Sequence, residues 1–250
     1  MQLDAIKSSN STTDEAALLA KNLEGTLAFI EKAKKQQADL DALELKLRNA
    51  PKTLEKSQIT VKQLSDSLAS LKNSFGQLSN TEIENQQDEI HQQLQAIQTS
   101  LNEVNSSLAN YRAITEQTRK QQTENNTQAE KLTRWKYNSQ ASKSLIDKYN
   151  AELKYIELNN RYNFLLSQNA NVLISLEEAK RSEISLRQQI LQQKLIYLQE
   201  ELNANRLKEF EAQTKQAEEL KANNKVENPI IQEQLTLNTD LSQYLVEQTQ

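Results

Sequence analysis

The only histidine, His91, lies three residues after Asp88, a spacing that puts an imidazole and a carboxylate on one face of a helix. A carboxylate-rich metal centre in a helical bundle needs several such pairs converging from different helices. One pair cannot supply that, so His91 reads as a solvated flank beside Ile90. Nucleophilic catalysis has no foothold either: the chain has no cysteine, and no serine sits in a strained glycine-rich elbow. The two glycines, Gly25 and Gly76, lie too far apart to build a phosphate-cradling loop. Trp135 with Tyr137, Tyr149, Tyr155 and Tyr162 could mark a ligand groove, but such aromatics at helical spacing are more often seam fillers with wet polar tips. Lys32, Lys34 and Lys35, and Glu200 with Glu201, read as solvated faces. No catalytic, cofactor-binding or metal-ligating residue is assigned, and the chain is not expected to be an enzyme.

What must position these residues follows from composition. Two glycines and two prolines in 250 residues leave little material for turns. A few very long elements are therefore expected. Hydrophobic residues make up 36% and aromatics 5% of the chain, enough for helix-helix seams but not for a large central core. Asn and Gln together form roughly a fifth of it, scattered and not in tracts. Basic and acidic residues number 30 and 34 and are interspersed, giving a net charge of -4. With no basic stripe, neither nucleic acid nor an anionic lipid surface is an expected partner. No stretch approaches the roughly 18 consecutive apolar residues of a membrane span. The polar N-terminus cannot act as a signal-peptide core, so the chain is expected to be cytosolic or an excised soluble piece.

The pattern of the apolar residues sets the fold class. Val61, Leu64, Leu68, Leu71, Phe75 and Leu78, then Ile90, Leu94, Ile97, Leu101, Val104, Leu108 and Tyr111, alternate steps of three and four. That period of 3.5 makes a narrow stripe that buries itself against another helix. Leu18, Leu19, Leu23, Leu27 and Ile30 are expected to form the apolar face of the first helix. Pro51 predicts a stop after Ala50, Thr81 and Glu84 a capping box, and the all-polar stretch Gln121 to Gln128 either a second reversal or a weak, solvated helical stretch. Asn169 or Asn171 can cap the helix carrying Leu176, Leu186, Ile190, Leu191, Leu195, Leu198 and Leu202, and Asn228-Pro229 can open the last one. The fold expected is all-α: elongated antiparallel helical hairpins, a coiled-coil bundle of long helices. A disordered tail covers 1–12, and one elongated helical domain covers 13–250, with helices at about 13–49, 52–78, 81–118, 127–167, 170–222 and 229–249. Such seams can be satisfied within a single chain, so the isolated piece need not associate.

The C-terminal half carries something more specific. Leu186-Arg187-Gln188-Gln189-Ile190, then Leu198-Gln199-Glu200-Glu201-Leu202-Asn203-Ala204-Asn205-Arg206, then the acidic, alanine-bearing run from Glu209 to Ala222, form one series. Asn228-Pro229-Ile230-Ile231-Gln232 through Asn238, Leu241 and Leu245 continues it. Ala50-Pro51-Lys52, Leu78-Ser79 and Leu94 to Leu108 share the rhythm upstream. This series resembles the periplasmic N-terminal region of the large MscS-like mechanosensitive channels, the potassium-dependent and miniconductance types, often called the mechanosensitive channel porin domain. The likeness covers most of residues 30–250. One departure is plain: Glu116-Gln117-Thr118-Arg119-Lys120 lacks the proline that the family often carries at that turn.

The resemblance implies a non-catalytic, periplasmic domain of a cell inner membrane protein, an ion channel that releases ions and osmolytes on hypo-osmotic shock. Its partners would be the downstream membrane channel portion of the same chain, further copies in a homo-oligomer, and periplasmic or cell-wall contacts. It would take no cofactor, no metal and no small-molecule substrate, and would not itself form the pore. The alternative is a free-standing periplasmic coiled-coil scaffold or adaptor. A membrane-bending helical module is a third reading, against which the slightly acidic charge speaks.

Overall fold

The computed structural model describes residues 14–71, 78–137 and 141–223, together with 230, 233, 234, 236–238, 240, 241 and 244. The expected tail at 1–12, Phe75 and the Asn228-Pro229 cap lie outside them, as does much of the last expected helix. Among the described residues, four long helices are continuous: α1 (Asp14–Ser70), α2 (Asn80–Lys136), α3 (Lys143–Gln168) and α4 (Ala170–Asn223). Chain contacts divide into two compact units, residues 1–60 with 102–182 and residues 61–101 with 183–250.

In the first unit, α2 and α3 form an antiparallel helical hairpin, with Gln128 bonded to Glu152 and Asn125 to Asn159. Meanwhile α1 runs parallel to α3 and α4, meeting Ser144 at Asn22, Asn159 at Gln36 and Glu177 at Lys46. Its apolar cluster is Leu43, Ala50, Leu166, Leu173 and Leu176, joined by Leu47, Leu54, Tyr111, Ile114, Tyr162 and Leu165. In the second unit, α2 and α4 are antiparallel, Asn80 reaching Glu209 and Glu84 reaching Arg206. Ile83, Ile90, Leu198 and Leu202 form its core, with Leu78, Leu94, Leu191 and Leu195 against them. The long-helix hairpin fold expected from the 3.5-residue period is therefore the fold found.

Several helix ends differ from the sequence expectation, each for a physical reason. Pro51 does not stop a helix: it lies inside α1. Proline in a helix interior costs about 3 kcal/mol. Burial of Leu43, Leu47, Ala50 and Leu54 on either side of it, at about 1.5–3 kcal/mol for each large side chain, outweighs that cost. Pro51 itself is exposed, so solvent can take up the carbonyl that its missing N–H releases. Gly25 does not break α1 either; the aliphatic stem of Lys148 crosses it, and a Cβ there would lie 2.8 Å from Lys148 Cε.

Of the two readings of Gln121–Gln128, a reversal or a solvated helical stretch, the helical one is found: α2 runs through it to Lys136. The next helix, α3, opens at Lys143, with the Ser142 side chain capping it by accepting the Leu145 N–H. The capping box at the start of α2 is two residues earlier than expected. Ser79 and Glu82 form it: Glu82 accepts from the Ser79 N–H at 2.9 Å and from its hydroxyl at 2.7 Å, and the Glu82 N–H donates back at 3.3 Å. The Ser79 backbone bond, then its hydroxyl, hold the Glu82 carboxyl below the usual carboxylate range. That stabilisation is complete above the ordinary carboxylate pKa and fades as pH falls through the lowered one. The interruption at Asn169 is a mild one: Asn169 N–H bonds to Leu165 O and Leu173 N–H to Asn169 O, so helical bonding continues from α3 into α4.

The face expected for α1 near its start is also corrected. Leu18 and Leu27 are 56% and 50% exposed. The side that packs carries Asn22, Thr26, Phe29, Ala33, Gln36 and Leu40, again in steps of four and three.

Leu198 is fully buried and Ile196, two residues away, is half exposed. Leu198→Asp is expected to lower the thermal midpoint sharply, because a carboxylate replaces a core leucine. Ile196→Asp is expected to change it by less than a quarter as much. Circular dichroism melts compare the two. Pro51→Ala restores a helix bond at an exposed position and is expected to raise stability by about 1–3 kcal/mol, read from denaturant midpoints.

Candidate functional site

Every seventh residue of α2 from Ile83 onward is Ile83, Ile90, Ile97, Val104, Tyr111, Thr118, Asn125 and Leu132, and all are buried or partly so. Along α1 the matching series is Asn22, Phe29, Gln36, Leu43, Ala50, Ser57 and Leu64. The heptad therefore never lapses; polar side chains simply occupy some of its inward positions. Where these meet in the first unit they form a layer of amides. Asn159 Nδ2 donates to Gln36 Oε1 at 3.0 Å, and Asn125 Nδ2 donates to Asn159 Oδ1 at 2.7 Å and to Asn160 Oδ1 at 2.8 Å. Asn163 Nδ2 completes the second lone pair of Asn159 Oδ1 at 3.0 Å, and Asn160 donates to Asn126. Gln36, Asn159 and Asn163 are buried. Among the described residues, the one buried side-chain oxygen or nitrogen without a partner is Asn80 Oδ1, so this layer is fully satisfied.

Amides in such an arrangement exchange hydrogen bonds; they do not perform acid-base or nucleophilic chemistry. Their physical effect is on register. A purely apolar heptad is nearly degenerate to a slip of seven residues. Here such a slip would set Asn159 against Phe29 or Leu43 of α1, leaving buried amides unpaired at about 1–3 kcal/mol each.

Beside this layer lies a charged node. Lys46 Nζ donates to Tyr111 Oη and to Glu177 Oε1, both at 3.2 Å, and sits 5.3 Å from the Tyr111 ring centre. Burial works against the ammonium, yet Tyr111 and Glu177 together hold its pKa above the ordinary lysine value. Burial pushes the phenol of neighbouring Tyr162 up, and Asp39 adds to the effect. Arg161–Glu44 and Arg112–Glu178 pair nearby at 2.9 and 3.3 Å. Exposed pairs of this kind contribute little each.

The second unit holds an open, largely apolar groove of about 420 Å³, lined by Leu64, Gln93, Ala96, Ile97, Arg187, Ile190 and Leu191. Its size falls in the range of ligand pockets, and Arg187 is its one charged lining residue. None of the candidate groups from the sequence converges on it. His91 is exposed, its Nδ1 placed 2.7 Å from the Gln87 carbonyl. No cluster of His, Cys, Asp or Glu suited to a metal ion occurs among the described residues. The aromatics are dispersed: Trp135 packs on Tyr149 at 6.0 Å, Tyr155 on Phe29 at 6.3 Å, Tyr162 joins the apolar cluster and Tyr137 is exposed. They fill seams and flanks, and build no common cage. The amide layer escapes sequence reading because the polar stretch Gln121–Gln128 reads as a reversal or a solvated helix that holds no seam residue; the unbroken seven-residue count through Thr118 and Asn125 is the available signal. No described helix is long and apolar enough to cross a membrane.

Comparison with known proteins adds three findings. The family model described as mechanosensitive ion channel porin domain matches residues 2–233. An uncharacterized MscS family protein of Haemophilus influenzae is 32% identical over 143 residues, a stretch covering 57% of this chain and 13% of that protein. No solved structure matches the chain.

Removing the Asn159 side chain takes the hydrogen-bond partner from Gln36 and from Asn163 and one of two acceptors from Asn125. Asn159→Ala is expected to lower unfolding free energy by about 2–4 kcal/mol, and Asn126→Ala, at the wet edge of the layer, by less than about 1 kcal/mol. Urea unfolding followed by circular dichroism separates them; equal effects would show that the layer contributes nothing beyond ordinary surface polarity.

Proposed function

The chain belongs to the mechanosensitive ion channel porin domain family, and we propose that it is the periplasmic, non-conducting part of an inner-membrane channel that opens under tension during hypo-osmotic shock. The observation that carries this reading is the family match over nearly the whole chain, on a fold made of long paired helices. The family is one of ion channels and not of enzymes. Three features support a structural and regulatory role over a catalytic one: an amide layer that fixes helix register, dispersed aromatics, and no cluster of His, Cys, Asp or Glu suited to a metal ion among the described residues.

A non-conducting role is supported by the absence of any described helix suited to span a bilayer. The relative is far longer than its matched stretch, which supports placing this domain beside a separate membrane portion of the same polypeptide. Sensitivity to osmotic downshock, any potassium dependence and assembly of several copies around the pore belong to the same proposal.

The test uses the full-length channel gene. Alkaline phosphatase inserted between Tyr137 and Ser142 is expected to be active, reporting a periplasmic location. Excision of residues 14–223 is expected to leave single-channel conductance in patch-clamp recordings unchanged while altering the tension needed for opening. An inactive phosphatase fusion would reject the location. A changed conductance would reject the non-conducting role.

A further inference from the structure

Within the second unit the Leu198–Arg206 series does more than fill a core. Along α4 the seam runs Leu191, Leu195, Leu198, Leu202, Asn205 and Glu209, in steps of four and three. Its apolar part ends at Leu202. The next two positions hold the start of α2 by polar contacts instead. Asn205 Nδ2 donates to the Leu78 carbonyl at 3.0 Å, and Asn80 Nδ2 donates to Glu209 Oε1 at 3.0 Å. Beside them Arg206 pairs with Glu84 at 3.2 Å. The same place holds the buried, unpartnered Asn80 Oδ1. A buried acceptor in that state costs more than a satisfied side-chain bond returns, so these contacts stand close to balance. The start of α2 does not depend on them, because Ser79 and Glu82 cap it from within. The end of α4 does. A helix draws most of its stability from its packed face, and past Leu202 the seam positions of α4 are polar.

We propose that Asn205, Arg206 and Glu209 form a latch on which the helicity of α4 beyond Leu202 depends, poised for release by the unpartnered Asn80 oxygen. Closed, the segment is a continuous helix fixed to the start of α2. Released, Asn80 Oδ1 and the Leu78 carbonyl gain water and the segment frays, while the core at Leu198 and Leu202 stays shut. Such a segment is a switch of the order-to-disorder kind. It decides whether a displacement arriving along α4 from its C-terminal side reaches α2 or is absorbed by unwinding. This inference uses only contacts within the chain and stands whether or not the channel reading holds.

Amide hydrogen exchange, read by mass spectrometry on the full chain, tests the latch. Asn205→Ala removes the bond to Leu78 yet gives α4 a better helix former, so faster exchange there reports the lost contact and not local propensity. Asn203→Ala is the control, since Asn203 is exposed and its side-chain oxygen accepts from Gln199 within α4. In the unsubstituted chain residues 203–215 are expected to exchange more slowly than an unstructured peptide and faster than residues 186–202. Asn205→Ala is expected to speed exchange across 203–215 by about fivefold or more and to leave 186–202 unchanged. Arg206→Gln is expected to act in the same direction and by less, because its ion pair is exposed. Asn203→Ala is expected to leave both segments unchanged or to slow the first. Exchange across 203–215 that ignores Asn205→Ala overturns the proposal, as does an equal gain from Asn203→Ala or unprotected exchange there in the unsubstituted chain. Equal acceleration of 203–215 and 186–202 overturns it too, by showing that α4 opens as one piece with its core.

Discussion

A seven-residue repeat that never loses phase is the constraint from which the other features follow. Along α1 it runs from Asn22 past Pro51 to Leu64, and along α2 from Ile83 to Leu132. Each inward position must meet a partner helix, so the chain can tolerate a proline, a glycine or an asparagine at points where a lone helix would fail. Isolated helices draw little stability from propensity and most of it from the packed face. Pro51 inside α1 and Asn125 inside α2 are both consequences of that balance.

The seam then divides its work. Leucine and isoleucine positions supply the stabilising burial, in clusters around Leu173 in one unit and Leu198 in the other. Polar positions supply little net stability, since a satisfied buried amide roughly offsets its own desolvation. What they add is discrimination between alignments that leucines alone would leave nearly equal in energy. On the proposed attachment to a channel this matters, because a bundle that settled in several registers would present its ends at several heights.

Much of this was legible in the residues. The scarcity of glycine and proline, the 3.5-residue period and the leucine series from Leu191 to Leu202 led directly to paired long helices, and the Leu186–Arg206 series led to the family. At Gln121–Gln128 the sequence left a reversal and a solvated helical stretch both open. Two points were not legible, and each failed for the same reason: Pro51 and the Leu18–Ile30 face were judged by local propensity or hydropathy. The packing that overrides those signals comes from residues more than a hundred positions away, as Asn22 with Ser144 and Gln36 with Asn159 demonstrate. The Ser79 cap is a different case. Two overlapping Ser/Thr-x-x-Glu patterns compete there, and the sequence alone offers no ground for choosing between them.

The amide layer at Asn159 has a mechanical corollary. Helices keyed in this way cannot creep past one another by small amounts, since the next alignment of the apolar ridges lies seven residues on, about 10 Å along the axis. Intermediate offsets strand Gln36, Asn125 and Asn163 at once. Under an axial load the layer behaves as a shear pin: stiff and silent up to a threshold, then yielding in a single step.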